Sequence, residues 1–260
     1  MEQKLKEKLK ESIKIAIRKF FNNKEVKTSH ILDILFPKER RIRSLIGGLE
    51  TSMGIVWEAI AKTLAEENGY EIIQTKILSP EPFPPKLRQE LDSLITQREN
   101  KFISTDICIE KLKKVALELN STNLKFTKPA SGTGVDIYFL KNGIEYVFDT
   151  KTTQPNQGDF KKFNKQLLEW YCYRFAKNPE ANLVAKIAIP FNPYQKNWYE
   201  QNKSKIKHFL DIQKDIWVGN EFWDFCSGQT NTWEIIEDIF HELQEEGFNK
   251  EFNDIFEGKS

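Results

Sequence analysis

The hydrophobic positions near the N-terminus recur at helical spacing. Between residues 3 and 21 they fall at Leu5, Leu9, Ile13, Ile17 and Phe20, with lysines on the opposite face, which predicts an amphipathic helix. Further helices are predicted from a Ser29 cap to a stop at Pro37, over 52–68 with closure at Gly69, over 87–119 in two pieces, and near 160–177, 195–210 and 232–246. Gly47-Gly48 predicts a chain break between the second and third of these helices.

Strand-like patterns lie between the helices and are concentrated in the middle of the chain. They cover 70–78, 124–127, two runs around Asn142-Gly143, the continuous apolar run Leu183 to Ile189, and Ile216 to Val218. The segment GNEFWDFCSG that follows is interpreted as an aromatic turn, with its aromatic side chains in the core. This order predicts an α/β fold, a mixed β-sheet flanked by helices, with a helical N-terminal region over 1–50 and a core over 51–260, together one compact unit.

Charge and composition narrow the class of protein. The formal net charge is +1, which excludes a histone-like polycation, yet residues 1–46 carry about +7 and residues 211–260 about −10. The basic N-terminal region could face an anionic partner such as DNA, or it could be a set of solvated helix faces. No apolar run predicts a membrane span or a signal peptide, so we expect a soluble, cytoplasmic protein.

The three cysteines and three histidines are scattered along the chain. Cys108, Cys172 and Cys226 show no paired spacing, which argues against a zinc site and favours three buried thiols.

The segment GVDIYFLKNGIEYVFDTK carries the most specific chemical signal. Asn142-Gly143 between two strand-like runs predicts a two-residue hairpin turn. If Lys141 pairs with Ile144, Asp136 stands opposite Asp149, and Lys151 shares their face of the sheet. Val135, Ile137, Phe139, Tyr146 and Phe148 then occupy the other face.

Two carboxylates in direct opposition repel each other unless a cation neutralises them. Mg²⁺ binds through one or two carboxylates with water and phosphate oxygens, and beside a lysine such a site suits phosphodiester hydrolysis. The alternative is a surface hairpin with solvated acids. An acid-x-Lys triplet also occurs elsewhere in the chain, for example at Glu2 with Lys4 and at Asp159 with Lys161, so the strand context and the second acid carry the hypothesis.

Asp136 and the triplet Asp149-Thr150-Lys151 resemble the catalytic motif of the PD-(D/E)XK nuclease superfamily, although Val135 replaces the proline of the motif. The resemblance implies a restriction-endonuclease-like fold, with Asp136, Asp149 and Lys151 as catalytic residues. It also implies a glutamate on a preceding helix, for which Glu58 in GIVWEAIAKTLAEENGYEII is the candidate and Glu50 the alternative. The metal ligands are then Asp136, Asp149, Glu58 and Thr150.

The helix after the triplet and the loops around the hairpin supply candidate DNA contacts. Superfamily members often place a glutamine on this helix, which Gln166 matches, and nearby lysines could meet phosphates or could form a solvated basic face. Loop side chains could contact bases or simply form turns. The full set is Lys161, Lys162, Lys165, Gln166, Ser131, Thr133, Gln154 and Asn156.

The segment VGNEFWDFCSG and the chain length resemble type II restriction endonucleases. That resemblance implies Mg²⁺-dependent cleavage of both strands of double-stranded DNA at a short specific sequence, by a homodimer whose host has a cognate DNA methyltransferase. Two alternatives remain at this point: a structure-directed repair or recombination nuclease, and a non-catalytic DNA-binding protein on the same fold.

Overall fold

The computed structural model describes residues 2–22, 30–119, 124–152, 154–194 and 196–258. The helices are α1 (Gln3–Asn22), α2 (Pro37–Glu67), α3 (Pro85–Asn100), α4 (Thr105–Leu117), α5 (Gln157–Lys177), α6 (Trp198–Ile206), α7 (Asn220–Ser227), α8 (Thr232–Glu245) and α9 (Asn253–Glu257). Short 3-10 helices span Ile31–Asp33 and Phe248–Phe252. The strands are β1 (Glu71–Ile72), β2 (Ser79–Glu81), β3 (Lys125–Thr127), β4 (Ile137–Lys141), β5 (Ile144–Thr150), β6 (Leu183–Ile189) and β7 (Ile216–Val218).

A mixed sheet forms the centre of the molecule, as the sequence predicts. Its order in the described residues is β1-β4-β5-β6-β7, and β2 pairs separately with β3. β1 pairs with β4 and β4 pairs with β5 in antiparallel orientation, whereas β5, β6 and β7 run parallel. Helix α5 connects β5 to β6. Helices α3, α4 and α5 cover one face of the sheet, and α1, α2, α7 and α8 cover the other. Burial on both faces explains why β6 is apolar almost throughout.

The hairpin has the predicted register. Ile137 pairs with Phe148, and the Asp136 N–H donates to the Phe148 carbonyl over 2.9 Å. Asn142 and Gly143 have φ of 53° and 75°, both left-handed, which is the geometry of the tight turn that Asn-Gly favours.

One residue of the predicted apolar face is misplaced. Ile137, Phe139 and Phe148 pack under α2 and α7 as expected, with Tyr146 at the margin, but Val135 packs with α5 on the opposite side. The ladder of hydrogen bonds begins at Asp136, so the alternation of side chains does not extend to the residue before it.

The predicted boundaries around α2 are wrong. Pro37 begins this helix instead of ending the previous one, and Gly47-Gly48 lie inside it. Proline is favoured in the first helical turn. Each glycine lowers the stability of a helix by only about 1 kcal/mol relative to alanine, and the packing of α2 against α1 outweighs this loss. His30 caps the short helix before α2, while the predicted cap, Ser29, lies outside the described residues.

Two further predictions need correction. The predicted strand over 70–78 shortens to β1, because only Glu71, Ile72 and the Ile73 N–H bond to β4 before the chain leaves the sheet. The predicted aromatic turn is helix α7, which ends at Gly228 with φ +69°. Its Phe222 and Trp223 are buried in the core, as expected of their side chains, and Phe225 is partly buried there.

Part of the uneven charge of the chain is neutralised within the molecule. Lys6 and Lys10 pair with Glu242 over 2.6 and 3.0 Å, and Lys10 also pairs with Glu246. Lys14 lies 3.3 Å from Glu246, and Arg18 lies 2.7 Å from Glu251. The basic face of α1 is therefore turned toward the acidic C-terminal helices, where these four cations have carboxylate partners.

The structure also bears on the predictions about the cysteines and about membrane-spanning helices. Cys108, Cys172 and Cys226 are free and buried, as predicted. Of the helices described, none is both long and apolar enough to cross a bilayer.

A buried ion pair ties α3 to the loop before β7. Arg98 and Asp215 are both fully buried and in contact, and Asp215 also accepts hydrogen bonds from the Thr105 hydroxyl (2.5 Å) and the Asp211 N–H (2.8 Å). We expect Asp215→Asn to lower the free energy of unfolding by about 3–5 kcal/mol, because it leaves the Arg98 guanidinium buried without a counter-charge. Denaturant unfolding measures this. The exposed Asp238→Asn is the control, and an equal effect of the two substitutions would contradict the prediction.

Candidate active site

The two hairpin carboxylates meet at the edge of the sheet. Asp149 is buried near the end of β5, and the carboxyl group of Asp136, just before β4, lies within hydrogen-bonding reach of it. The Thr150 N–H and hydroxyl donate to Asp136 Oδ2 over 2.9 and 3.2 Å, which fixes the orientation of that carboxylate. The register therefore brings the two acids together as the sequence predicts.

Burial is the main cause that raises the pKa of Asp149 well above its usual range, and the neighbouring Asp136 raises that pKa further. Lys151 lowers the pKa of Asp149, because its Nζ lies 2.6 Å from Asp149 Oδ2. The buried Oδ2 contacts the ammonium as an ion pair and has no further hydrogen-bond donor among the described residues. An oxygen of this kind, beside a second carboxylate, is a suitable ligand for a hard cation.

Glu58 approaches the same edge from α2. A Cβ atom placed on Gly54 would lie 3.6 Å from Thr152 Cγ2, at van der Waals contact, so α2 passes close to the segment that follows β5. Burial raises the pKa of Glu58, the hydrogen bond from Lys62 (3.1 Å) lowers it, and the charge of Asp136 raises it. The alternative, Glu50, is exposed two turns earlier on α2.

Few side chains that could bind a metal ion lie at this edge of the sheet. Across the described ranges no three His, Cys, Asp or Glu side chains are grouped as a complete metal site. Asp136 and Asp149 can serve as the protein ligands of an ion whose other ligands are water and phosphate, with Glu58 nearby, and this donor set fits Mg²⁺.

Two cavities flank Lys151 and open the site to solvent. The first, of 600 Å³, is lined by Asp136, Asp149, Thr150 and Lys151 and also by Gln74, Lys76, Lys128 and Ser131. The second, of 410 Å³, is lined by Lys151, Thr133, Lys162, Lys165, Gln166 and Glu169. Because Gly132 and Lys151 line both cavities, together they form one groove, which we call the Lys151 groove.

Lys76 and Lys128 are residues that the sequence did not single out. They come from segments about 50 residues apart, before β2 and after β3, which the pairing of those two strands brings to the same side of the groove. No local pattern distinguishes either lysine from the others in the chain.

The predicted DNA contacts on α5 divide into two groups. Lys162, Lys165 and Gln166 line the groove, and Gln166 is buried with an Nε2 atom that has no hydrogen-bond partner among the described residues. Lys161 instead lies over the ring of Phe209 and 3.8 Å from Glu99, outside both cavities. Asn156 caps α5, with its Oδ1 accepting from the Gly158 and Asp159 N–H groups over 2.8 and 3.2 Å.

The loop residues also differ in what their polar atoms do. Ser131 is exposed at the rim of the first cavity. The Thr133 hydroxyl donates to the Ala130 carbonyl over 2.8 Å, and Gln154 Oε1 accepts from the Trp198 indole N–H over 2.7 Å. Only part of the predicted contact set therefore presents free polar atoms to the groove.

Comparisons with known proteins bear on the family of the chain. Residues 1–244 match the model of the family described as type II restriction endonuclease, HinfI. A curated relative, type II restriction enzyme MjaII of Methanocaldococcus jannaschii, is 24% identical over 156 residues, which cover 56% of this chain and 42% of that protein. The alignment thus spans less than half of the relative's length. No solved structure matches the chain.

Proposed function

The chain belongs to the HinfI family of type II restriction endonucleases, and from that premise we propose that it cleaves both strands of double-stranded DNA at a short specific sequence, with Mg²⁺ as cofactor. One observation carries the proposal: Asp136 and Asp149 face each other at the open edge of the sheet, beside Lys151. We assign the site to the PD-(D/E)XK type.

The carboxylates and the lysine have different roles in this proposal. Asp136 and Asp149 would hold the ion, with Glu58 and the region of Thr150 completing its surroundings. When bound, Mg²⁺ polarises a phosphoryl oxygen and lowers the pKa of a water molecule. Thr150 keeps the Asp136 carboxylate oriented through its two hydrogen bonds.

Lys151 lies where the attack on phosphorus would occur. Its ammonium group is paired with Asp149 and faces both cavities, so it can orient the attacking water and stabilise the negative charge that develops on the phosphate. Hydrolysis adds water across the P–O bond: the water oxygen bonds to phosphorus, and the leaving oxygen takes up a proton.

The Lys151 groove would bind the duplex through its phosphates. Lys76 and Lys128 lie on one side and Lys162 and Lys165 on the other, and such contacts position DNA without reading its sequence. Gln166 has an unpaired amide donor for a base or backbone acceptor. Ser131 and Gln154 are further candidates, since Ser131 is exposed at the rim and the Gln154 Nε2 atom has no partner among the described residues. Thr133, Asn156 and Lys161 are weaker ones, because their polar groups are engaged within the fold.

Two partners follow from the proposed activity. A palindromic site is matched by a two-fold protein, so the enzyme would act as a homodimer with one site for each strand. The host would need a cognate DNA methyltransferase to protect its own copies of the sequence.

The test is to incubate the purified protein with a large unmethylated DNA, with Mg²⁺ and with EDTA, and to sequence the ends. Discrete fragments that require Mg²⁺ are expected, and their ends give the recognition sequence. A featureless smear would contradict sequence-specific cleavage and favour a structure-directed nuclease, which junction and flap substrates would then identify. DNA binding without cleavage under any divalent cation would contradict an enzymatic function.

We expect Lys128→Ala to weaken DNA binding uniformly across sequences, because it removes a phosphate contact. The slope of log K against log salt should fall by about 0.9 per lost contact. Fluorescence anisotropy in EDTA over a salt series measures this slope without cleavage. Lys111→Ala, an exposed lysine outside both cavities, is the control, and an unchanged slope for Lys128→Ala would contradict its place in the interface.

A further inference from the structure

The N-terminal half of α2 exposes an unusual amount of apolar surface. The residues just before the helix are largely exposed, and on the helix itself Ile42 and Ile46 are 45% and 40% exposed beside the fully buried Leu45. We call this surface the α2 arm. It consists of Ile31, Ile34, Leu35, Phe36, Ile42 and Ile46. Together these six residues expose on the order of several hundred Å², less than the roughly 800 Å² that each partner buries in a standard protein interface, so neighbouring residues would contribute to a stable contact. A solvated surface of a monomer rarely carries such a patch.

The segment before the helix is held in place against α2. Asp33 accepts from Arg40 over 3.0 Å, and the Arg40 N–H donates to the Phe36 carbonyl over 3.0 Å. The Ile31–Asp33 turn also packs on α2. The exposed side chains of Ile34 and Leu35 are thus displayed on an ordered turn at the start of the helix.

The apolar positions of α2 continue one pattern from the arm into the core. The spacing 42, 46, 49, 53, 56, 60 alternates four and three residues, which is the seam by which one helix packs on another. Val56 and Ile60 are buried, Leu49 and Met53 are partly buried, and only the first two positions are exposed. The seam therefore continues to two partly exposed positions beside the buried Leu45, and these two lack a covering element among the described residues.

We propose that the α2 arm is the surface through which two copies of this chain associate. A second copy supplies a helix with the same seam, so the contact can be two-fold and self-complementary. The charges agree with this pairing, because exposed Glu39 and Arg43, one turn apart on α2, have opposite signs and could pair across the two-fold axis.

The position of the arm also suits the proposed cleavage of two strands. Ile42 lies 16 residues before Glu58 on the same helix, or about 24 Å at the rise of an α-helix. A contact at the arm would join two subunits without covering the Lys151 groove of either. This part of the inference rests on the proposed function, whereas the association itself does not.

Sedimentation velocity without DNA or metal tests the association over a range of protein concentrations. The wild type is expected at twice 30.5 kDa and the Ile34→Asp/Leu35→Asp variant at 30.5 kDa. Both replaced side chains are exposed, at 76% and 69%, so the variant should fold, and circular dichroism with thermal unfolding checks this. The matched control is Ile107→Asp/Leu117→Asp on α4, at 46% and 62%, which should sediment like the wild type.

Two results would overturn the inference: a wild type that is monomeric at every concentration, or a variant that stays dimeric. Neither depends on cleavage, so failure of the inference and failure of the proposed nuclease activity are separable. If the wild type linearises supercoiled plasmid, the monomeric variant is expected to accumulate nicked circles and to linearise them at least tenfold more slowly. Linearisation at the wild-type rate by a monomeric variant would contradict the role of the arm in double-strand cleavage.

Discussion

Asp149→Asn is expected to lower the rate of DNA cleavage by roughly 10³-fold or more, since loss of cation binding removes several kcal/mol of transition-state stabilisation. The carboxylate of Asp149 is buried beside Asp136, where the two acids can share a cation. Single-turnover cleavage of a duplex that contains the mapped site measures the effect. A rate within tenfold of the wild type would contradict the assignment of Asp149.

The same substitution is expected to stabilise the protein when metal is absent. Burial raises the pKa of Asp149 in the folded state above its unfolded value, so the ionised carboxylate destabilises the fold at neutral and alkaline pH. That penalty disappears as the pH falls below the unfolded pKa, where the group is protonated in both states. Asparagine has no charge to bury, so the substitution removes this penalty. Each kcal/mol gained in the free energy of unfolding should raise Tm by about 2–4 °C for a chain of this size.

Calorimetric scans in EDTA, at mildly alkaline and at acidic pH, test this stability effect. We expect the higher Tm of Asp149→Asn at alkaline pH to vanish at acidic pH, while the exposed control Asp238→Asn follows the wild type at both. Added Mg²⁺ should raise the Tm of the wild type but not that of Asp149→Asn, since only a protein that binds the ion is stabilised by it. Equal responses to Mg²⁺ would show that Asp149 does not bind the ion.

Lys151→Ala is expected to reduce the single-turnover rate by about 10²–10⁴-fold, the range for loss of a group that orients or deprotonates the nucleophile. Its Nζ is paired with Asp149 and lies at the junction of the two cavities. DNA affinity should change only a few-fold, because other lysines line the groove. Lys151→Arg should not restore the rate, because a planar guanidinium group differs in shape from the compact ammonium group of lysine.

The control for this prediction is Lys111→Ala, which should cut at the wild-type rate. Cleavage and DNA binding are measured on the same protein preparations, so that a folding defect in Lys151→Ala is detected as a loss of both. Full cleavage by Lys151→Ala would remove the lysine from the mechanism.

The parts of the structure that local sequence determines were predictable. Asn142-Gly143 determines the turn, the turn determines the register, and the register brings Asp136 opposite Asp149. The continuous apolar run of β6 likewise predicted a strand buried on both faces. In each case the signal lies within a few residues of the structure that it specifies.

The parts that depend on distant contacts were not predictable from the same patterns. Packing against α1 carries α2 through Gly47-Gly48, and pairing of β2 with β3 brings Lys76 and Lys128 together. The lysines of α1 look like a DNA-binding face until the acidic C-terminal helices are placed against them. Sequence periodicity records which face of a helix is polar, but not what that face meets.

The central claim is that the Asp136–Asp149 pair binds the divalent cation used in cleavage. Electron paramagnetic resonance of Mn²⁺, titrated with protein in the presence of a duplex carrying the mapped sequence, tests it most directly because free and bound Mn²⁺ give different signals. The account predicts that the wild type and Asp238→Asn deplete free Mn²⁺, and that Asp136→Asn/Asp149→Asn depletes no more than the duplex alone. Equal depletion by the wild type and the double variant would contradict the claim.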